Sequence, residues 1–277
     1  MNDIRVKEYG PAFGERILVA GGLIIISVLA WAYTIQMART MGAHTPAVGV
    51  MAEHGVHHLA GHGAMHSAIT PHLTAWGAEE IWMTFIMWAV MMAAMMLPTA
   101  IPMILAFTIV NRQRESGGVI VQVWAFTSGY LSTWTVYSAG ATIAQWGLLR
   151  AALLSPATLV SGYVLGGILL IAAGIFQWTP WKDACMAKCR NSIGFLLTHW
   201  RPGYMGAFRL GSRYGLYCVG CCWLLMVLSF ALGVMNLVWM AALTLFMLVE
   251  KISPAGRFIS RSAGIGLIAW GGWMLFG

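Results

Sequence analysis

Residues 81–110 read IWMTFIMWAVMMAAMMLPTAIPMILAFTIV, thirty consecutive positions without an acidic or basic side chain. On a helix rising about 1.5 Å per residue, such a run exceeds the ~30 Å of a hydrocarbon layer. It therefore predicts a membrane-crossing helix. The remainder of the chain extends the pattern, with 59% of its 277 residues hydrophobic, 9% charged and a mean hydropathy of +0.74. Further apolar runs occupy 17–37, 119–149, 157–178, 216–233, 234–249 and 262–277. The sequence predicts an all-α fold, a polytopic membrane helix bundle of seven transmembrane helices, or six if the short, Gly-rich last one does not span. It is read as a single integral membrane domain over residues 1–277. No small-x-small cleavage site follows the first run, at Ala38-Arg39-Thr40, so that run is expected to persist as a helix.

If seven spans alternate strictly, fourteen of the sixteen Lys and Arg lie on the side of the amino terminus, leaving Arg39 and Arg150 opposite. The positive-inside rule makes the richer side cytoplasmic and suits a bacterial inner membrane. The net charge of +7 is then a topology signal that also draws the chain to anionic headgroups. No aromatic-interleaved basic segment suggests nucleic acid. The expected partners are the lipid bilayer and the subunits of a membrane-protein complex.

This topology puts a His-rich loop, residues 38–78, outside the cytoplasm. Its core, MAEHGVHHLAGHGAMH at 51–66, holds five of the eight histidines. His54, His58, His62 and His66 recur every four residues, with His57 beside them, and neutral imidazoles suit copper, zinc and nickel. Gly55, Gly61 and Gly63 weaken a helix there by about 1 kcal/mol each. A metal site ordered by its ion, a pH-responsive segment and a solvated connector are all compatible with this pattern.

All five cysteines fall elsewhere, in a cytoplasmic loop at 179–214 and at the expected start of the next span. Cys185 and Cys189 have the spacing of one helical turn, and Cys218 and Cys221 that of a C-x2-C pair. In a reducing compartment such pairs indicate metal or redox chemistry more often than structural disulfides. Four thiolates would suit zinc, and two or three copper(I). Cys222, beside Trp223, also reads as a packing residue, and Asp183 is a neighbouring reserve. His199 could add an imidazole, while Glu250 and Lys251 read as an interfacial ion pair.

The segment WAVMMAAMMLP (88–98), the C-x3-C run, CVGCCWLLMVLSFALGVMNLVWM (218–240) and the pair Glu250-Lys251 together resemble a family of uncharacterised bacterial membrane proteins catalogued as predicted metal-binding integral membrane proteins. The resemblance covers about residues 79–277. It implies a membrane metal-binding class, and it leaves the histidine loop outside.

Met83, Met87, Met91 and Met95 recur every four residues along the opening stretch. Thioethers bind copper(I) without adding charge, and they also fill gaps beside aromatic rings such as Trp82 and Trp88. Pro98 and Pro102 leave helix carbonyls to be satisfied by neighbours. No phosphate-binding loop, dinucleotide fingerprint or H-E-x-x-H is present. Two classes of function remain: a non-enzymatic membrane protein handling a transition metal, copper ahead of zinc, or an accessory or assembly subunit of a larger membrane complex such as a copper-dependent oxidase or monooxygenase. Thiol-disulfide exchange by Cys218 and Cys221 is a third reading.

Overall fold

The computed structural model describes residues 12–43, 77–114, 118–154 and 161–276, and among these every regular element is helical. Helix α1 (Ala12–Ala43) precedes α2 (Ala78–Arg114) and α3 (Val119–Arg150). Then α4 (Tyr163–Phe176) gives way to α5 (Pro180–Arg190) at a 65° bend. The short α6 (Ser192–His199) leads into α7 (Gly203–Val227) and its single-turn continuation α8 (Ser229–Leu232). Two final helices, α9 (Leu237–Ile252) and α10 (Gly256–Phe276), complete the chain.

Three stretches are long and apolar enough to cross a membrane: Ile17–Arg39, Ala78–Arg114 and Gly203–Leu232. A fourth is added if the bent pair α4–α5 counts as one span. This corrects the expectation of seven transmembrane helices, or six. Helix α3 is 32 residues long, but it carries Gln122, Thr127, Ser138, Thr142 and Gln145, all buried against other helices. Helix α9 has 16 residues, about 24 Å at 1.5 Å each, short of the hydrocarbon thickness. Helix α10 opens with Gly256, Arg257, Ser260 and Arg261, which dilute its apolar character.

The long α2 is favoured at both ends, by Glu79 and Glu80 in its first turn and Arg112 and Arg114 in its last, as the helix dipole prefers. It continues through Pro98 and Pro102. A proline deprives the carbonyl four residues earlier of its donor, and for Pro98 that carbonyl belongs to Ala94. The Trp31 indole of α1 donates to it at 3.0 Å, so the same bond repairs α2 and docks α1. On the other side of α2, Trp88 Nε1 donates to Gln145 Oε1 of α3 at 2.7 Å.

Close approach by glycine sets the other pairs. A Cβ on Gly129 of α3 would lie 2.1 Å from the Phe208 carbonyl oxygen, and one on Gly211 of α7 2.0 Å from that of Phe126. Helices α4 and α10 meet in the same way, Gly174 against the carbonyl of Gly264 and Gly167 against that of Gly271. Backbone contact of this kind is how helices associate where water supplies no hydrophobic drive. Only 22% of the apolar window of Ile17–Arg39 is buried inside the protein, and Ile25, Val28 and Leu29 face outward.

Candidate functional site

The thiols are positioned chiefly by α5 and α7. Helix α5 starts at Pro180, with Thr179 Oγ1 accepting from the Lys182 backbone N–H, an N-cap that fixes where Cys185 and Cys189 fall on the helix. Its far end is held by Arg190, whose Nη2 donates to the Ser253 carbonyl at 2.6 Å. Helix α7 begins at Gly203, earlier than the expected span at 216. Cys218 therefore lies about 22 Å along the helix from its first residue. Cys218, Cys221 and Cys222 are buried on one face of α7, Cys189 is buried beside them, and Cys185 is partly exposed. All five are free thiols.

The two cysteine segments meet. The Cys221 side chain is a hydrogen-bond neighbour of those of Cys189, Cys218 and Cys222. Cys185 stands next to this group, its sulfur 3.0 Å from where a Cβ on Gly220 would sit. The sulfurs of Cys221 and Cys222 lie 3.1 and 2.8 Å from the Cys218 carbonyl oxygen, to which each thiol donates. Among the described residues, no three or more His, Cys, Asp or Glu side chains are arranged so as to hold a metal ion as they stand, so any shared ion would require the thiols to close up around it.

Lys251, which the sequence reads as an ion-pair partner, and Tyr130 and Thr99, which it does not single out, gather around Cys218. Lys251 Nζ donates to its sulfur at 3.1 Å and to Thr99 Oγ1 at 2.9 Å. The Tyr130 hydroxyl lies 3.3 Å from the same sulfur and donates to the Met96 carbonyl at 3.2 Å. Thr99 Oγ1 in turn donates to that carbonyl at 2.9 Å and lies 3.9 Å from the Met96 thioether. The buried ammonium thus faces a sulfur and a hydroxyl, and an anionic sulfur there would be paired directly.

Glu250 and Lys251 do not pair with each other, contrary to the interfacial ion pair expected for them. Successive helical residues point about 100° apart. Glu250 turns to Lys182 at 2.6 Å, both side chains buried. The Lys182 ammonium also donates to Gln177 Oε1, which accepts from Ser260 Oγ at 2.8 Å. This second network ties the α4–α5 bend to α9 and α10.

The remaining candidates are scattered. Met87, Met91 and Met95 are buried in the core, whereas Met83 is 56% exposed. Met96, outside the four-residue register, is the methionine that borders the Cys218 neighbourhood. Asp183 faces Arg257 and Arg261, 3.7 Å from each. His199 is held by Thr198 and the Phe195 carbonyl and stacks on the Phe195 ring. His54, His57, His58, His62 and His66 lie outside the described residues.

No curated protein and no solved structure matches the chain. A family profile does, PpoB2, described as copper chaperone, over residues 85–274. That stretch contains every cysteine, Lys251, Tyr130 and Thr99, and it includes more than half of the sequence. The chain belongs to this copper chaperone family.

Proposed function

We propose that the chain is an integral membrane copper chaperone that carries copper(I) as cargo on Cys189, Cys218 and Cys221, with Cys185 and Cys222 at hand during loading or release. The observation that carries this reading is the contact of the Cys221 thiol with three others beside the Lys251 ammonium. Soft thiolates select copper(I), which is satisfied by two or three sulfurs and needs no tetrahedral cage. The copper chaperone description of the family supports copper over zinc. Charge agrees when two of the three cysteines are thiolates and the third stays a neutral thiol: the monovalent ion and two thiolates carry one net negative charge, and Lys251 brings the group to neutrality. A buried group needs such compensation, because an unpaired charge out of water is costly.

The proposed setting is a bacterial inner membrane with a cytoplasmic amino terminus. Outward apolar residues on α1 support immersion. Arg114 lies over the Trp200 ring at 5.5 Å, so the basic end of α2 adjoins the basic start of α7, and the positive-inside rule makes that end cytoplasmic. In this reading His54, His57, His58, His62 and His66 gather copper on the opposite side. The buried Met87, Met91 and Met95 lend the intervening helix thioethers, and delivery is to a protein partner within a membrane complex.

The test is anaerobic loading of the purified full-length protein with copper(I), followed by copper content and X-ray absorption. Sulfur-ligated copper is expected in the native protein, with loss of most of it in Cys221→Ser. Native protein that acquires no sulfur-bound copper, or Cys221→Ser that keeps it in full, overturns the thiolate assignment. A peptide of residues 51–66 tests the histidines separately: it should bind copper saturably at neutral pH and lose it below about pH 6.5 as imidazole protonates.

A further inference from the structure

A second polar concavity lies at the other end of α7 from its apolar half. His199, Arg201, Gly206, Arg209, Leu210 and Arg213 line a half-open cavity of about 190 Å³. We propose that it binds the phosphate of an anionic phospholipid headgroup. The proposal rests on the membrane placement above and is independent of the copper reading.

Three guanidiniums share this small space, and among the described residues no carboxylate pairs with any of them. Arg209 and Arg213 are four residues apart on one helix face, a spacing at which like charges repel. Arg201 adds a third positive charge just before the helix begins. An arrangement that is unfavourable when empty becomes favourable around an anion, and the planar guanidinium fork matches phosphate oxygens in pairs. His199 contributes a further donor or acceptor, because its Nδ1 is engaged with Thr198 and Phe195 and its other ring nitrogen is the one left for a ligand.

Size narrows the ligand. Liquid water takes about 30 Å³ per molecule, so the cavity has room for about six. That suits a phosphate with part of its ester, and falls below the ~300 Å³ and upward of sites for drug-sized molecules.

Depth identifies the source of the phosphate. After Arg213 the chain has no Asp, Glu, Lys or Arg until Glu250, so Arg213 marks the last polar level before the apolar part of α7. In α2, Arg112 plays the same part after an uncharged run from 81 to 111, and the contact of Arg114 with Trp200 brings the two boundaries together. A boundary between charge and hydrocarbon, with an indole at it, is where headgroups lie. Next to the arginines, Tyr204, Met205 and Phe208 are exposed and offer an apolar surface to glycerol and acyl carbons. A free phosphate ion would gain nothing from them.

Native mass spectrometry of the detergent-solubilised full-length protein, titrated with phosphatidylglycerol, phosphatidylcholine and inorganic phosphate, tests this. The native protein should retain one phosphatidylglycerol with at least about tenfold preference over phosphatidylcholine, as two or three headgroup contacts at about a factor of five each imply. Arg209→Gln with Arg213→Gln should erase the preference, while Lys188→Gln, which removes an exposed charge from α5, should leave it. An unchanged preference in the double variant, or equal loss in Lys188→Gln, overturns the site. Equally tight inorganic phosphate overturns the lipid and assigns the cavity to the free anion. A protein that stays monodisperse without detergent overturns the membrane placement, and the proposal with it. Either result leaves the copper measurement unaffected.

Discussion

Two lysines are buried among the described residues, and they are buried for different reasons. Lys182 has a carboxylate partner, Glu250, at 2.6 Å, and shares an amide with Ser260. Lys251, the residue after Glu250, has no carboxylate among the described residues; it donates to the sulfur of Cys218 and the hydroxyl of Thr99. The first network pairs an ammonium with a carboxylate, although Gln177 Nε2 and Glu250 Oε2 have no hydrogen-bond partner among the described residues, and it holds the α4–α5 bend against α9 and α10. The second is complete only if the sulfur carries negative charge, so its stability is linked to whatever else the sulfurs hold. In the proposed reading, the first network fastens the frame and the second faces the cationic cargo.

The sharpest way to break this contrast is to remove one member of each group. Lys182→Met leaves the Glu250 carboxylate buried without its partner, and such losses cost about 3–5 kcal/mol. Thermal unfolding in detergent should show a large fall in midpoint. Lys182→Met combined with Glu250→Leu removes both charges and should recover most of that loss, because isosteric apolar replacement of a buried pair is close to neutral. If the double variant is no more stable than the single one, the pair has a role beyond fastening.

Lys251→Met should behave in the opposite way. Its partners are a thiol and a hydroxyl, both of which are neutral without the ammonium, so stability should change by about 1 kcal/mol or less, a small shift of the unfolding midpoint. Copper(I) affinity, measured by competition with a chromogenic chelator, should fall by about tenfold or more, since the loaded thiolates lose the ammonium that offsets their remaining negative charge. A variant that binds copper as well as the native protein would mean that Lys251 is a structural lysine like Lys182.

Much of the frame can be read from the sequence because its signals are local. The uncharged run at 81–110 is a helix, and the two cysteine spacings lie on helices. Counting spans from charge-free runs overcounted where a run carries uncharged polar side chains that helices hide against one another: α3 has no charge between Val119 and Leu149 but buries Gln122, Ser138 and Gln145. The start of α7 was misplaced for a related reason, since Arg209 and Arg213 read as loop charges although they sit in the helix's opening turns. The neighbours of Cys218 were beyond reach. Thr99 and Lys251 are 152 residues apart, and Tyr130 and Cys218 are 88 apart. No periodicity encodes such contacts, and the residue before Lys251 is acidic, which made a local ion pair the simpler reading.

A smaller effect is expected at the junction of α1 and α2. Trp31→Phe keeps the ring but removes the indole N–H that serves the Ala94 carbonyl. Leaving a buried carbonyl without its donor costs about 1–3 kcal/mol, and the loss should appear as a modest drop in midpoint with unchanged copper binding. Loss of copper together with stability would extend the functional region to α1.

The smallest effect is expected at Asp183, which sequence proximity to Cys185 had made a reserve ligand. Its carboxylate is instead 3.7 Å from both Arg257 and Arg261, and those guanidinium side chains are 69% and 49% exposed. Exposed pairs of this kind are screened by water and salt and contribute at most about 1 kcal/mol. Asp183→Asn should therefore lower stability by less than that, by an amount that shrinks further in high salt, and should leave both copper content and sulfur coordination as they are in the native protein. This sets a third ion pair beside the two buried lysines: the same charges at the rim neither fasten the frame nor attend the cargo. If Asp183→Asn releases copper, the carboxylate reaches the sulfurs in the loaded state, and helix α5 has to turn toward α7 for it to do so.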